Sequence, residues 1–288
     1  MYKANPPLLP SGSLLRAVTT LLRKPHGTQT RLQHRFALPP ANISDLENYR
    51  GYFEFRTDNA SAGTPVCPLS YHYLATQRAQ LALMMNAQFI YSVAGMVHVG
   101  NDMRQLHPYD PRQSAILTVW VEAEPFLPKE NQFVVLHSQL EQQGNAVVSC
   151  DSRYLAKKAP KKPSYTSRMQ EAVLEASWPE IHRWKLDAAA GRRYAALSGD
   201  YNPIHLWGLS AKLFGFSKPI IQGMDSVARC EAALAPMFDA AHAKPWQLSV
   251  GFIKPISLPA QAVLHASAQK FVVIANDTLC LAGKFTSL

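Results

Sequence analysis

Acidic residues are absent from the first 44 positions, cysteine is sparse, and no apolar run approaches the length of a membrane span. Each shortage removes a class of protein. Cys67, Cys150, Cys230 and Cys280 lie far apart with no CxxC pair, so their spacing offers neither a structural zinc site nor a disulfide framework. A reduced, cytoplasmic compartment is the default expectation, with no metal. Apolar runs fall short of the roughly 20 residues that cross a bilayer, so no membrane span is expected. The N-terminal "SLLRAVTTLLRKPH" breaks its apolar residues with arginines, unlike a secretory signal. Asp45 is the first acidic residue, and residues 1–44 read as a basic arm lying over the fold. An organelle presequence is the second reading, set back because such segments are usually rich in serine as well as arginine.

What is present supports a folded chain. Hydrophobic residues make up 47% of 288, enough for a sizeable core and for one large domain or two of ordinary size. The formal charge of +9 points to anionic partners. Part of it sits in the arm, at Arg16, Arg23, Lys24, Arg31 and Arg35, and part in "KKAPKKPS" from Lys157 to Ser164. The plain account of the second run is a solvated linker. Phosphate-bearing small molecules rank ahead of nucleic acid, because no aromatic-interleaved RNA motif or zinc-finger spacing accompanies the charge.

That Lys/Pro-rich stretch divides the chain into halves with the same order of elements. In the first, "YLATQRAQLALMMNAQF" (Tyr73 to Phe89) has helical spacing of its apolar residues. The strand-like runs "GMVHVGNDM", "SAILTVWVEAE", "QFVVLHSQLEQ" and "AVVSCDSRYL" follow. In the second, "GMDSVARCEAALAPMF" (Gly223 to Phe238) is the helix, with "WQLSVGFIKPI", "QAVLHASAQKF" and "TLCLAGKFTSL" as strands. The internal match of "VWVEAEPFLPKENQFVVLHSQL" (Val119 to Leu140) with "VGFIKPISLPAQAVLHASAQ" (Val250 to Gln269) supports a duplicated α+β unit. Each unit would hold one long, buried helix against an antiparallel sheet. The boundaries expected are 1–44 for the arm, 45–156 for the first unit, 157–176 for the linker and 177–288 for the second.

One stretch carries chemistry. In "SGDYNPIH", Asn202 before Pro203 is a helix start, because Asn caps and proline presets φ for the first helical position. His205 would then sit on the first turn, where the positive end of the helix dipole favours its neutral, proton-accepting form. Asp200 lies just upstream, after Gly199, so two proton-handling groups can converge on one point. Taken alone, an Asx turn at Asp200, a cap at Asn202 and a surface histidine explain the same residues. A metal site is weaker, since no third ligand lies at ligand spacing.

The full stretch "YAALSGDYNPIHLWGLSAKLFGFSKPIIQGM" (Tyr194 to Met224) resembles the hydratase motif of the MaoC-like family, which includes (R)-specific enoyl-CoA hydratases. The resemblance rests on the aromatic residue, "SGDxNPIH", the small Ala211, "GFSKPI" and "GM". It extends to "VGFIKPISLP", and the first half looks like the degenerate partner of two-domain members. It implies a double hotdog fold, a central helix wrapped by a sheet in each half, with no cofactor. It further implies that Asp200 and His205 activate one water for addition to a 2,3-enoyl thioester, the split between base and proton donor being open. Asn202 would position the pair, and the Gly223 N–H would polarise the thioester carbonyl. Family members commonly carry His before this Gly-Met, where Gln222 stands here; glutamine can donate and accept but cannot titrate.

The first half lacks the motif, so one site per chain is expected. Its helix would leave room for an acyl chain, with Met84, Met85 and Met96 as an adaptable lining. Lys212, Lys218, Arg192 and Arg193 are candidates for contacts to an acyl-CoA or acyl-carrier thioester, along with Gln222. A hotdog thioesterase and a non-catalytic acyl-thioester binding protein are the competing expectations, and pairing into a homodimer is compatible with all three.

Overall fold

Along Gln132–Gln142 every second residue is buried, the two-residue period of a strand with one face on a core. Such strands dominate the molecule, a computed structural model that describes residues 7–8, 27–55, 67–93, 96–125, 131–157, 178–237 and 245–288. The first half holds β1 (Thr28–Gln29), β2 (Leu32–Leu38), α1 (Ile43–Tyr52), α2 (Leu69–Met84), β3 (Val97–Gln105), β4 (Ala115–Val121), β5 (Glu124–Pro125), β6 (Gln132–Gln142) and β7 (Asn145–Lys157). The second holds β8 (Glu180–Leu186), α3 (Ala190–Ser198), a 3₁₀ turn (Pro203–His205), α4 (Gly208–Leu213), α5 (Gly223–Leu234), β9 (Trp246–Phe252), β10 (Ala260–Ser267), β11 (Lys270–Ala275) and β12 (Thr278–Ser287).

Ten strands form one antiparallel sheet in the order β2-β4-β6-β7-β3-β9-β12-β11-β10-β8. Read inward from either edge, the strands of that half come in the same chain order: first, third, fourth, fifth, second. The two series meet at β3 and β9, whose register runs from Gly100 opposite Gly251 to Gln105 opposite Trp246. A Cβ at Gly100 would lie 3.0 Å from the Val250 carbonyl oxygen, so a side chain there would crowd the seam.

Each half places its long helix between its first and second sheet strands. In α2, Leu69, Tyr73, Thr76, Gln80 and Leu83 are buried at three- and four-residue spacing. α5 is buried on nearly every side, including Asp225 and Glu231. Both carboxylates are paired. Asp225 binds Arg229 at 2.7 Å, and Glu231 accepts from the Leu69 and Ser70 N–H groups at 2.8 and 2.9 Å. Pro68, at the cap position of α2, makes no side-chain cap bond. A carboxylate from the second half therefore caps the central helix of the first.

Four expectations need adjustment. α2 runs from Leu69 to Met84, where Tyr73 to Phe89 was predicted, because Asn86 ends it by accepting the Gln88 N–H in a local turn. α5 stops at Leu234, two residues before Pro236, because proline has no N–H to continue the ladder, while Ala235 still donates to the Glu231 carbonyl. "QAVLHASAQKF" is two strands, with Ala268 at φ 51° between them. Residues 28–44, assigned to the arm, instead contribute β1, edge strand β2 and the start of α1; residues 9–26 of the arm and 158–176 of the linker lie outside the described residues.

The internal match is also out of register with the topology. Val119–Leu140 joins β4 to β6, which are neighbours. Val250–Gln269 joins β9 to β10, which are not. By position β4 corresponds to β10, so the shared strand–proline–strand pattern does not align equivalent strands.

Candidate functional site

Gly199, at φ 79°, ends α3 in the left-handed conformation that glycine adopts without strain, and the chain turns directly into Asp200. The Asp200 N–H donates to Ser198 Oγ, and Asp200 Oδ1 accepts the Asn202 N–H at 3.2 Å. Asn202 Oδ1 in turn lies 3.4 Å from the Ile204 nitrogen, capping the 3₁₀ turn that Pro203 opens. The Asx turn and cap are thus both present. They coexist with a buried histidine in place of the surface one that would have made them merely structural.

His205 is fixed through one ring nitrogen. Its Nδ1 lies 2.8 Å from the Ile220 carbonyl oxygen, which can only accept, so Nδ1 carries the proton and Nε2 is left as the acceptor. Burial lowers its pKa below 6.5, while the Asp200 charge and the Ile220 hydrogen bond oppose that shift. The imidazole is therefore neutral at neutral pH. α3 approaches this turn closely, and a Cβ at Gly191 would collide with the His205 carbonyl oxygen.

The strand-like segment before α5 ties the turn to the helix. Ile220 donates to the Ile204 carbonyl, and Ile221 to that of Ile256. Gln222 is buried, and its Nε2 donates to the carbonyl oxygens of Gly191 at 3.0 Å and Asp200 at 3.3 Å. Expected as a substrate contact, it braces α3, the Asp200 turn and α5 through Nε2, while its buried Oε1 has no hydrogen-bond partner among the described residues. Gly223 opens α5 against the Phe252 ring, which a Cβ there would meet at 2.7 Å. First-turn N–H groups of a helix have no intrahelical partner and can stabilise negative charge.

The four candidate cations divide. Arg192 stacks over Trp207 at 4.2 Å and donates to the Leu206 carbonyl, and Arg193 pairs with Asp187 at 3.0 Å. Both are engaged in holding α3 and its surroundings. Lys212 and Lys218 are exposed beside the turn. Of the methionines, Met84 is in the core, and Met85 and Met96 are half-buried. Among the described residues no group of His, Cys, Asp and Glu could hold a metal ion. A groove of about 290 Å³ on the first half's β2–β4–β6 face, lined by Arg31, Arg35, Trp120 and Glu141, shares no residue with this site.

Three contributors were not anticipated: Ile220, whose carbonyl sets the His205 tautomer; Phe252, which covers Gly223; and His98, whose ring meets Phe252 at a tilt from the first half. Phe252 and His98 sit in alternating stretches where local pattern announces only a strand, and Ile220 acts through its backbone carbonyl, which its side chain does not mark.

The family model described as MaoC like domain matches residues 169–278, in the second half of the chain. The chain is 29% identical over 216 residues, 69% of each protein, to 3-hydroxyacyl-thioester dehydratase X of Mycobacterium tuberculosis. The crystal structure of HtdX from that organism matches with a TM-score of 0.69 at 22% identity, covering 88% of this chain and 100% of the other. A MaoC-like dehydratase from Phytophthora capsici matches at 0.63 and 16% identity, over 93% and 98% of the chains.

Proposed function

We propose that the chain is a hydratase/dehydratase of acyl thioesters, adding water to a 2-enoyl thioester to give a (3R)-3-hydroxyacyl thioester and catalysing the reverse. The observation that carries this reading is the neutral, buried His205, its Nδ1 held by Ile220 and its Nε2 left to accept, five residues after Asp200 along the chain. The water oxygen bonds to C3 as its proton passes to one of these two residues, and a proton is delivered to C2. Water is thereby added without any redox change. The Asn202 bonds orient the Asp200 carboxylate, and the Gly223 N–H stabilises the enolate oxygen that develops on the thioester carbonyl. Substrate is an acyl-CoA or acyl-carrier thioester. The mirrored strand order supports a double hotdog, and the Gly-Asp-x-Asn-Pro-x-His motif, found in the second half alone, supports one active site there.

Crotonyl-CoA hydration and free CoA release, measured in one assay, test this reading. Hydration without CoA release is expected, with Asp200→Asn and His205→Gln each lowering the rate at least about a hundredfold while remaining folded. CoA release in place of hydration would make the protein a thioesterase, and binding with neither would make it a binding protein. Near-normal turnover in either folded variant would remove that residue from the mechanism. A chiral assay of the 3-hydroxybutyryl product checks the (3R) assignment.

A further inference from the structure

Where β3 pairs with β7, the register slips between His98 and Gly100. Such a bulge re-aims the side chains around it, and bulges gather next to active sites. The His98 ring is turned into an aromatic box, 4.7 Å from Tyr154, 4.9 Å from Phe252 and 5.9 Å from Tyr73. Tyr154 is satisfied elsewhere, its hydroxyl bonding Gln80. His98 Nε2 is closed off from solvent and has no hydrogen-bond partner among the described residues. A buried imidazole nitrogen left without a partner costs stability that an apolar ring in the same box would not. Phe252, the ring His98 touches, also covers Gly223 at the start of α5.

We infer that His98 is a substrate-contacting residue supplied by the first half, whose Nε2 hydrogen-bonds the oxygen that joins or leaves C3 of the acyl chain. The inference rests on the hydratase reading above. Burial brings the His98 pKa down to about 4, with hydrogen bonds donated by the ring to Asn101 and the Gly100 backbone and then the Asp200 charge opposing, so the ring stays neutral; the influence of Asp200 places it within electrostatic reach of that carboxylate. A neutral imidazole there offers one hydrogen bond and no charge, which suits a water or hydroxyl group. The degenerate half thus supplies a polar contact as well as a wall for the acyl chain.

His98→Phe tests this directly, because phenylalanine keeps the stacking and removes only the ring nitrogens. The expected result is a fall in kcat of about tenfold or more, with KM for crotonyl-CoA little changed and Tm unchanged or raised. His98→Gln, which restores a polar atom, should recover part of the rate. An unchanged kcat in folded His98→Phe would overturn the inference, as would equal losses in both variants that follow a lowered Tm. If the unaltered protein hydrates nothing, the hydratase reading fails separately, and binding decides the His98 assignment. The unaltered protein should then prefer 3-hydroxybutyryl-CoA over butyryl-CoA and His98→Phe should not; the same preference in both would overturn it.

Discussion

His205 shows how one hydrogen bond determines what a side chain can do. Because the Ile220 carbonyl can only accept, it fixes which imidazole nitrogen bears hydrogen, and burial then keeps the ring neutral. The sign of its pH dependence follows. If His205 must be unprotonated to act, the acid limb of kcat/KM for hydration should lie below pH 6.5, the ordinary histidine value. Asp200 opposes the shift, so Asp200→Asn should lower the His205 pKa further. Titration of the His205 ring by NMR in the two proteins checks this, and a higher value in the variant would contradict it. Much of this site was legible, because Gly-Asp-x-Asn-Pro-x-His combines a left-handed glycine, an Asx turn and a cap that act locally. Gln222 and His98 were not legible in the same way. The partners of Gln222 are 31 and 22 residues away, and a bulge leaves no mark in an alternating strand.

Among the elements, the junction of α2 and α5 gives the clearest energetic argument. α2 begins at a proline with no capping side chain, inside the protein, where unpaired N–H groups are costly. Glu231, from the last turn of α5, accepts two of them. Glu231→Ala should therefore lower unfolding free energy by about 1–3 kcal/mol, measured by urea denaturation, and Glu231→Gln by less, since its carbonyl oxygen still accepts. Burial raises the Glu231 pKa above 4.5, with the hydrogen bonds from Ser70 and Leu69 opposing. A raised folded pKa favours the protonated folded state. The linked stabilisation is fully present below the unfolded pKa and is lost as pH rises through the folded one. Relative to Glu231→Gln, the unaltered protein should thus lose stability as pH rises upward from about 4.5. Equal pH slopes in the two proteins would show that Glu231 does not supply the linkage. Helix position could be read from apolar spacing, but this cap could not, since 161 residues separate Ser70 from Glu231.

For the whole molecule, alternation located the interior strands, with β10 and β11 run together, but it missed both edge strands, β2 and β8, and it could not order the set. Any two strands with a proline between them produce the pattern that matched Val119–Leu140 to Val250–Gln269, and the topology shows those segments are not equivalent. The seam of β3 with β9 depends on Gly100 meeting Gly251 across 150 residues, and only the folded chain brings them together. Charge distribution raises the same issue, since +9 spread over 288 residues does not say which cations meet a ligand. The structure narrows the choice. Arg192 and Arg193 are held by Leu206, Trp207 and Asp187, whereas Lys212 and Lys218 project into solvent beside the His205 turn. A thioester carrying several phosphate charges would be drawn to them, and such distant contacts act as uniform binding. Lys212→Ala and Lys218→Ala should each raise KM for crotonyl-CoA about two- to fivefold at low ionic strength with kcat unchanged, the scale of an exposed ion pair. The effect should fade in high salt, as screening shortens the reach of exposed charge. Arg192→Ala should behave differently, lowering kcat as well, because it removes the group that packs Trp207 beside the turn. Kinetics of the three variants at two salt concentrations decide the matter: unchanged KM in both lysine variants would move the phosphate contacts to the basic residues before position 27 or the lysine run at 157–162.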